Sequence, residues 1–182
     1  MVNYVFGYAS LVALEDAGAV AGRLRGFRRC WGVAMNNWEG GERAKHWLDR
    51  EAGARPRIRV AYLDIYEQPG SAVNGVALPV DAPRLAALDA REINYGRVEV
   101  TDAFEGPVSG CVFTYVGLDA ARERCRCGQA EGDAFVSRDY LVGVRSGFER
   151  LGADGLAEFD RTTDPLPFPE RDLIVVLPAA GP

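Results

Sequence analysis

Lysine and histidine are nearly absent from this sequence, which contains one of each, Lys45 and His46. A Ser-His-Asp triad needs a well-placed histidine, and His46 falls in a polar stretch where we expect an ordinary surface side chain. A zinc site would have to combine Cys125 and Cys127 with remote ligands, since structural zinc takes cysteine and histidine ligands. We therefore predict neither histidine-based catalysis nor a bound metal. The other basic residues are all arginine, which we attribute to compositional bias.

Cysteine is scarce as well. The four cysteines form no C-x-x-C pair and no framework typical of small secreted domains; they are Cys30, Cys111, Cys125 and Cys127. We expect reduced thiols and a cytoplasmic location.

Long apolar segments are also missing. No run approaches the ~18 apolar residues that suggest a membrane helix, so we expect no association with a membrane. The apolar start of the chain lacks the basic region and the small-residue cleavage pattern of a signal peptide. We interpret it as a first strand.

The sequence contains none of the common phosphate-loop, dinucleotide, zinc-protease or serine-hydrolase motifs. A net charge of -5 and a pI near 5.0 argue against nucleic-acid binding. The length of 182 residues is typical of a single domain, so we predict one domain over residues 1–182 and no cofactor. No feature of the sequence predicts an oligomeric state.

Apolar alternation and turn residues predict six or seven strands and two to four helices. The predicted strands are 4–8, 21–35 (broken at Gly26), 58–66, 72–80 (with a bulge at Asn74-Gly75), 95–101, 109–116 and 173–177. The predicted helices are 81–95 and 137–152, with 119–131 and 154–162 as further candidates. Residues 36–56 are polar and predict a mobile surface loop. The pattern favours an α+β fold in which a small mixed β-barrel carries flanking helices.

The predicted helix 81–95 carries a carboxylate on its apolar face. Asp81 suits the N-cap, and the helical period places Glu92 between Leu85 and Leu88 around the axis. A carboxylate facing the core must be paired, hydrogen-bonded or functional. Two interpretations stay open on position alone: an ion pair with Arg23 or Arg97, or a general acid/base whose pKa is raised by burial. Arg91 should point away from this face.

Three segments together resemble the γ-glutamylcyclotransferase-like superfamily, including its ChaC-like and AIG2-like members. Residues 4–11, YVFGYASL, resemble an N-terminal signature of the form (F/Y)-x-Y-G-S-(L/N). Residues 88–95, LDAREINY, resemble the signature that contains the catalytic glutamate, and residues 137–141, SRDYL, resemble a third. The segments occur in the family's order.

The resemblance implies a small barrel without metal or cofactor. It also implies a cyclotransferase that releases 5-oxoproline when the α-amine of a γ-glutamyl compound attacks its own γ-carbonyl. Glu92 would be the general acid/base, and the backbone of Tyr8, Ala9, Ser10 and Leu11 would bind the substrate's carboxylate or the oxyanion. Tyr95 and Tyr115 would line the site, although such tyrosines, like Tyr140, are more often core residues.

Ala9 departs from the family pattern, which has glycine at this point. If the position needs a positive φ, alanine costs ~1 kcal/mol or more; if glycine only provides room, alanine narrows the pocket. A non-catalytic protein that binds a small acidic ligand is therefore the alternative function. A third possibility is an enzyme that trims a γ-glutamyl group from a larger natural product, with residues 36–56 as its recognition loop.

Overall fold

A computed structural model describes residues 2–40 and 44–177. Within them a mixed eight-stranded sheet curls into a half-barrel, a two-stranded sheet lies beside it, and four α-helices flank both. The strands are β1 (Asn3–Gly7), β2 (Val20–Asn36), β3 (His46–Asp49), β4 (Arg59–Val80), β5 (Tyr95–Glu99), β6 (Phe104–Glu105), β7 (Val112–Gly117), β8 (Ala134–Ser137), β9 (Glu170–Arg171) and β10 (Leu173–Val176). The helices are α1 (Ala82–Arg91), α2 (Asp119–Glu131), α3 (Arg138–Glu149) and α4 (Gly155–Thr162). The predicted α+β class is confirmed, with more strands than expected because several are only two to five residues long.

The main sheet is ordered β5-β7-β1-β4-β2-β6, with β8 and β9 attached through β4. Strand β1 pairs with β4 antiparallel and with β7 parallel, so it lies in the middle of the sheet. Strands β5 and β7 pair antiparallel, with β6 between them along the chain. The end of β1 is consequently surrounded by other strands, which fixes the position of the turn that follows it.

The long strands β2 and β4 form the main part of the sheet. The break predicted at Gly26 is present, since Gly26 has a φ of 79° and the register shifts between Arg25 and Phe27. The predicted strands 58–66 and 72–80 form one strand, and residues 68–71 bulge from it around Gly70 at a φ of 83°. The prediction of a bulge at Asn74-Gly75 is wrong, because the pairing of β4 with β2 continues without a register shift there.

The segment 36–56 is not simply a surface loop. It contains strand β3, which pairs antiparallel with β10 near the other end of the described chain. Trp47 is 3% exposed and His46 8% exposed, so the expectation of a surface histidine is wrong. The buried side chain of Asn37 holds Trp47 through two hydrogen bonds of 2.8 and 2.9 Å. Residues 41–43 lie outside the described part of the chain.

The helices close the core and follow the prediction except at their ends. Helix α2 packs on β2, α4 on β4, and α3 on a 3-10 turn at Ser10–Ala13. Ser137 is the N-cap of α3 but accepts no capping hydrogen bond with its side chain, and the C-cap is Arg150 instead of Gly152. None of the helices formed by the described residues is long and apolar enough to cross a membrane.

Candidate active site

A cavity of about 790 Å³ opens beside the end of β1. Every residue that the sequence singled out for the site lines it: Glu92, Tyr8, Ala9, Ser10, Leu11, Tyr95 and Tyr115. They come from four separate elements that the half-barrel brings together.

The turn from Tyr8 to Leu11 forms one wall of the cavity. Strand β1 ends at Gly7, and the 3-10 turn starts at Ser10 with Ala9 as its N-cap. Backbone N–H groups in the first turn of a helix have no acceptor within the helix, so those of Ser10 and Leu11 are available to a ligand. Gly7 permits this sharp turn, since a Cβ there would collide with Cβ of Leu11. The wall therefore offers donors suited to a carboxylate or an oxyanion.

The backbone at Ala9 is free of the strain considered above. Its φ is -139°, and none of the described residues other than glycine has a positive φ. Its methyl group packs against the core at the edge of the cavity. Of the two possible effects of alanine, only a change in the room available to a ligand remains.

Arg29, which the sequence did not suggest as a site residue, supports this turn from behind. It is completely buried, and its Nε donates to the carbonyl of Tyr8 over 2.8 Å. The guanidinium lies over the rings of Phe148 and Phe159, at 4.9 and 4.7 Å from their centroids. Burial lowers the pKa of Arg29 to about 9, which leaves it charged at neutral pH. Strand alternation could have suggested a buried arginine here, because it turns one of the successive residues Arg28 and Arg29 towards the core.

Glu92 stands at the end of helix α1 and not within it. The helix stops at Arg91, and Glu92 is the C-cap, with its N–H donating to the carbonyl of Leu88 over 2.9 Å. The predicted extension to residue 95 is wrong, since the N–H of Tyr95 closes a turn on the carbonyl of Glu92 before β5 begins. The N-cap prediction for Asp81 is confirmed, because its side chain accepts from the N–H of Arg84.

The side chain of Glu92 is 16% exposed and lies against the cavity. Burial raises the pKa of its carboxyl, while the charges of Arg91 and Lys45 act in the opposite direction. The Nε of Arg91 lies 3.3 Å from Oε1 of Glu92, so Arg91 does not point away as predicted.

Neither arginine suggested as a partner for Glu92 has that role. Arg23 pairs with Glu158, and Arg97 pairs with Asp89, each over 2.5 Å.

The tyrosines build a rigid frame around the carboxylate. Tyr8 donates to the carbonyl of Tyr115, and Tyr95 donates to that of Leu63, each over 2.8 Å. Tyr115 donates to Oδ1 of Asp89 over 2.8 Å. Burial is the main reason that the pKa values of these three hydroxyls are raised, so they remain protonated. The hydroxyl hydrogens of these tyrosines donate to groups within the protein. Towards a ligand, their rings shape the cavity and their hydroxyl oxygens can accept hydrogen bonds.

Lys45 lines the cavity, and the sequence analysis did not identify it as a site residue. The exposed Lys45 side chain directly precedes β3, and its Nζ lies 5.1 Å from the ring centroid of Trp47 and 5.6 Å from that of Tyr62. Loss of hydration lowers the pKa of Lys45, the charge of Arg91 lowers it further, and Glu92 opposes both. The polar sequence around it concealed a residue that strand pairing brings to the cavity.

Within residues 2–40 and 44–177, no three or more side chains of His, Cys, Asp or Glu gather as they would around a metal ion. The residues that line the cavity offer proton transfer at Glu92, donation from backbone N–H groups, and attraction of anions by Lys45 and Arg91.

The half-barrel and its flanking helices form an α+β fold that is also found in solved structures of other proteins. An uncharacterized protein from Homo sapiens shares it with a TM-score of 0.51 and 14% identity, over 90% of this chain and 88% of the human chain. YkqA from Bacillus subtilis shares it with a TM-score of 0.54 and 15% identity, over 88% of this chain and 53% of YkqA. A structure named as a γ-glutamyl cyclotransferase is similar with a TM-score of 0.43 and 15% identity, over 72% of this chain and 80% of the other. At these identities the similarity establishes the fold. No protein-family model and no curated protein matches the chain.

Proposed function

We propose that this protein is a γ-glutamylcyclotransferase that releases 5-oxoproline from a γ-glutamyl amino acid, amine or peptide. The observation that carries the proposal is that Glu92 opens into the same cavity as the turn from Tyr8 to Leu11. Glu92 is a proton acceptor, and the turn provides backbone N–H donors that can bind an anion. These are the two functions that cyclisation of a γ-glutamyl group requires.

The proposed reaction uses Glu92 for each proton transfer. Its carboxylate takes a proton from the substrate's α-ammonium, and the free amine attacks the γ-carbonyl carbon to form a five-membered lactam. The bond to the leaving nitrogen then breaks as that nitrogen receives the proton from Glu92. The ring nitrogen loses its second proton to the same carboxylate, which passes it to the released amine, so that the amine leaves as an ammonium. No water is consumed, and the carboxylate returns to its starting state.

A raised pKa suits these transfers, because proton exchange is most efficient when the pKa of the catalytic group approaches the working pH.

In this proposal the N–H groups of Ser10 and Leu11 bind the substrate's α-carboxylate or the oxyanion of the γ-carbonyl. A fixed α-carboxylate holds the α-amine near the γ-carbonyl, and such positioning is a large part of the advantage of an intramolecular reaction. Tyr95 and Tyr115 would shape the pocket around the glutamyl chain. Arg29 would hold the carbonyl of Tyr8 so that the turn keeps its orientation.

The experiment is to incubate the protein with a panel of γ-glutamyl dipeptides and glutathione and to measure 5-oxoproline. Glu92→Gln should lower kcat by about 10²–10⁴-fold while the protein stays folded. The matched control is Glu67→Gln, which makes the same chemical change at an exposed position on β4. Retained turnover in Glu92→Gln would reject the role of Glu92. Binding of 5-oxoproline or of γ-glutamyl compounds without any product would favour the alternative, a small-acid-binding protein.

A further inference from the structure

The cavity has a surplus of positive charge on one side. Among the described residues that line it, three side chains are charged: Lys45, Arg91 and Glu92. Arg91 and Glu92 pair with each other over 3.3 Å, and this pair leaves Lys45 as a surplus cation. Residues 2–40 and 44–177 place no carboxylate within ion-pair distance of Lys45. The reaction proposed above does not use this charge.

Lys45 is held in place by aromatic contacts and not by an anion. Its ammonium lies over the rings of Trp47 and Tyr62, and both rings belong to strands. Trp47 is itself fixed by Asn37 and by the pairing of β3 with β10. A cation held beside a cavity, with no carboxylate of the described residues within ion-pair distance, favours an anionic ligand.

Tyr62 adds an unused polar group at the same place. Its ring lines the cavity, and its buried hydroxyl has no hydrogen-bond partner among the described residues. Buried hydroxyls are normally paired, so the hydroxyl of Tyr62 is a polar group beside the cavity wall that the described residues leave unsatisfied.

We propose that Lys45 binds a carboxylate carried by the leaving group. The inference rests on the function proposed above, in which the turn from Tyr8 to Leu11 and Glu92 take up the carboxylate and amine of the glutamyl part. The remaining cation then selects what is attached to the γ-carbonyl. The substrate class is γ-glutamyl amino acids and peptides that have a carboxylate close to the scissile bond, and γ-glutamyl amines are disfavoured.

The test compares two substrates that differ by one carboxylate, γ-glutamylalanine and γ-glutamylethylamide. The wild-type protein should favour the first by about tenfold in kcat/KM, the size expected for one charge-assisted hydrogen bond. Lys45→Met should abolish this preference by raising KM for γ-glutamylalanine, and Lys45→Arg should retain most of it. The control Arg126→Met makes the same change in net charge at an exposed site on α2. If Lys45→Met affects both substrates equally, Lys45 does not read the leaving group and the inference is overturned.

A binding measurement separates this inference from the proposed function. Because Lys45 is the only lysine, reductive methylation with ¹³C-formaldehyde gives a single side-chain dimethylammonium signal and preserves the charge. In Glu92→Gln, that signal should respond to γ-glutamylalanine at about tenfold lower concentration than to γ-glutamylethylamide. This response without any 5-oxoproline in the wild-type protein would reject the enzyme and keep the carboxylate site. Turnover of both substrates with no such difference in the signal would keep the enzyme and reject the site. Neither turnover nor a response would reject both.

Discussion

Replacing Arg29 by methionine removes the group that joins the cavity wall to helix α4. Its guanidinium donates to the carbonyls of Tyr8 and Asn74, over 2.8 and 2.7 Å, and to Oγ1 of Thr163 over 2.9 Å. Methionine can occupy the space between Phe148 and Phe159, because thioethers pack well against rings. It cannot replace the donors.

The size of the effect follows from two opposing terms. Two carbonyls that accepted from the guanidinium become unsatisfied in a dry interior, at about 1–3 kcal/mol each. The Thr163 hydroxyl also donates to the carbonyl of Phe159, so it keeps one partner. Against this loss, removal of the charge recovers the desolvation penalty that lowers the pKa of Arg29. We expect the unsatisfied carbonyls to outweigh the recovered penalty, with a net loss of about 2–3 kcal/mol in the free energy of unfolding.

The assay is urea unfolding at neutral pH, with thermal unfolding as a second measure. For a chain of this length the midpoint temperature should fall by roughly 4–12 °C. Arg28→Met is the matched control, because Arg28 is the neighbouring residue and its 2.5 Å ion pair with Asp164 is partly exposed. That control should cost no more than about 1 kcal/mol. If Arg29→Met unfolds within about 0.5 kcal/mol of the wild-type protein, the turn does not depend on the guanidinium and our account of the wall is wrong.

Four further predictions concern the site and its walls. Glu92→Gln should raise the midpoint temperature, because burial raises the pKa of the Glu92 carboxyl in the folded state and its ionised form therefore opposes folding at neutral pH. If the proposed reaction is correct, Lys45→Met should move the acidic limb of kcat/KM to higher pH, since Lys45 lowers the pKa of Glu92. Gly75→Ala should destabilise the fold by about 1–3 kcal/mol or more, because the new Cβ would clash with the carbonyl oxygen of Gly7. Ala9→Gly should lower stability by about 0.5–1 kcal/mol, because at a negative φ glycine gives no relief and only adds backbone entropy to the unfolded chain.

Each of these has a measurement that can contradict it. The effects predicted for Glu92→Gln on stability and for Lys45→Met on activity both depend on pH. The stability that the raised pKa of Glu92 removes is regained as pH falls through that raised pKa and is fully regained below the ordinary value for a glutamate, so the two melting curves should converge in acid. An unchanged acidic limb in Lys45→Met would mean that the two charges do not interact. Urea unfolding tests the predictions for Gly75→Ala and Ala9→Gly. An Ala9→Gly protein that is more stable than the wild type would show that the backbone at this position favours glycine.

The parts of the fold that the sequence predicted are those set by local pattern. The break in β2 was visible because Gly26 interrupts an alternating strand, and helix α1 began where Asp81 and Pro83 indicated. The end of α1 was misplaced because the helical period alone does not mark a stop. Only Leu88 of this helix is buried, and Ile93, just beyond its end, is 65% exposed, so packing does not favour another turn.

The parts that the sequence missed depend on distant partners. Strand β3 is a strand because β10 lies beside it, and more than a hundred residues separate the two along the chain. Lys45 owes its place at the cavity to this pairing, so no local pattern could indicate it. Strand alternation indicates that only one of Arg28 and Arg29 points inward, but which of the two is buried depends on the elements that pack on that face of the sheet.

The pairing of β3 with β10 also determines the order in which the parts of the site can form during synthesis of the chain. A ribosome makes Lys45 and Trp47 long before it makes residues 173–176, which complete the small sheet that holds them. A nascent chain can therefore build the long strands, the Tyr8 to Leu11 turn and the Glu92 helix while the cationic side of the cavity is still without support. The cationic end, which we propose contacts the leaving group, is therefore the last part of the site to be completed. Shortening the chain before β10 should consequently leave a folded sheet with an unselective cavity.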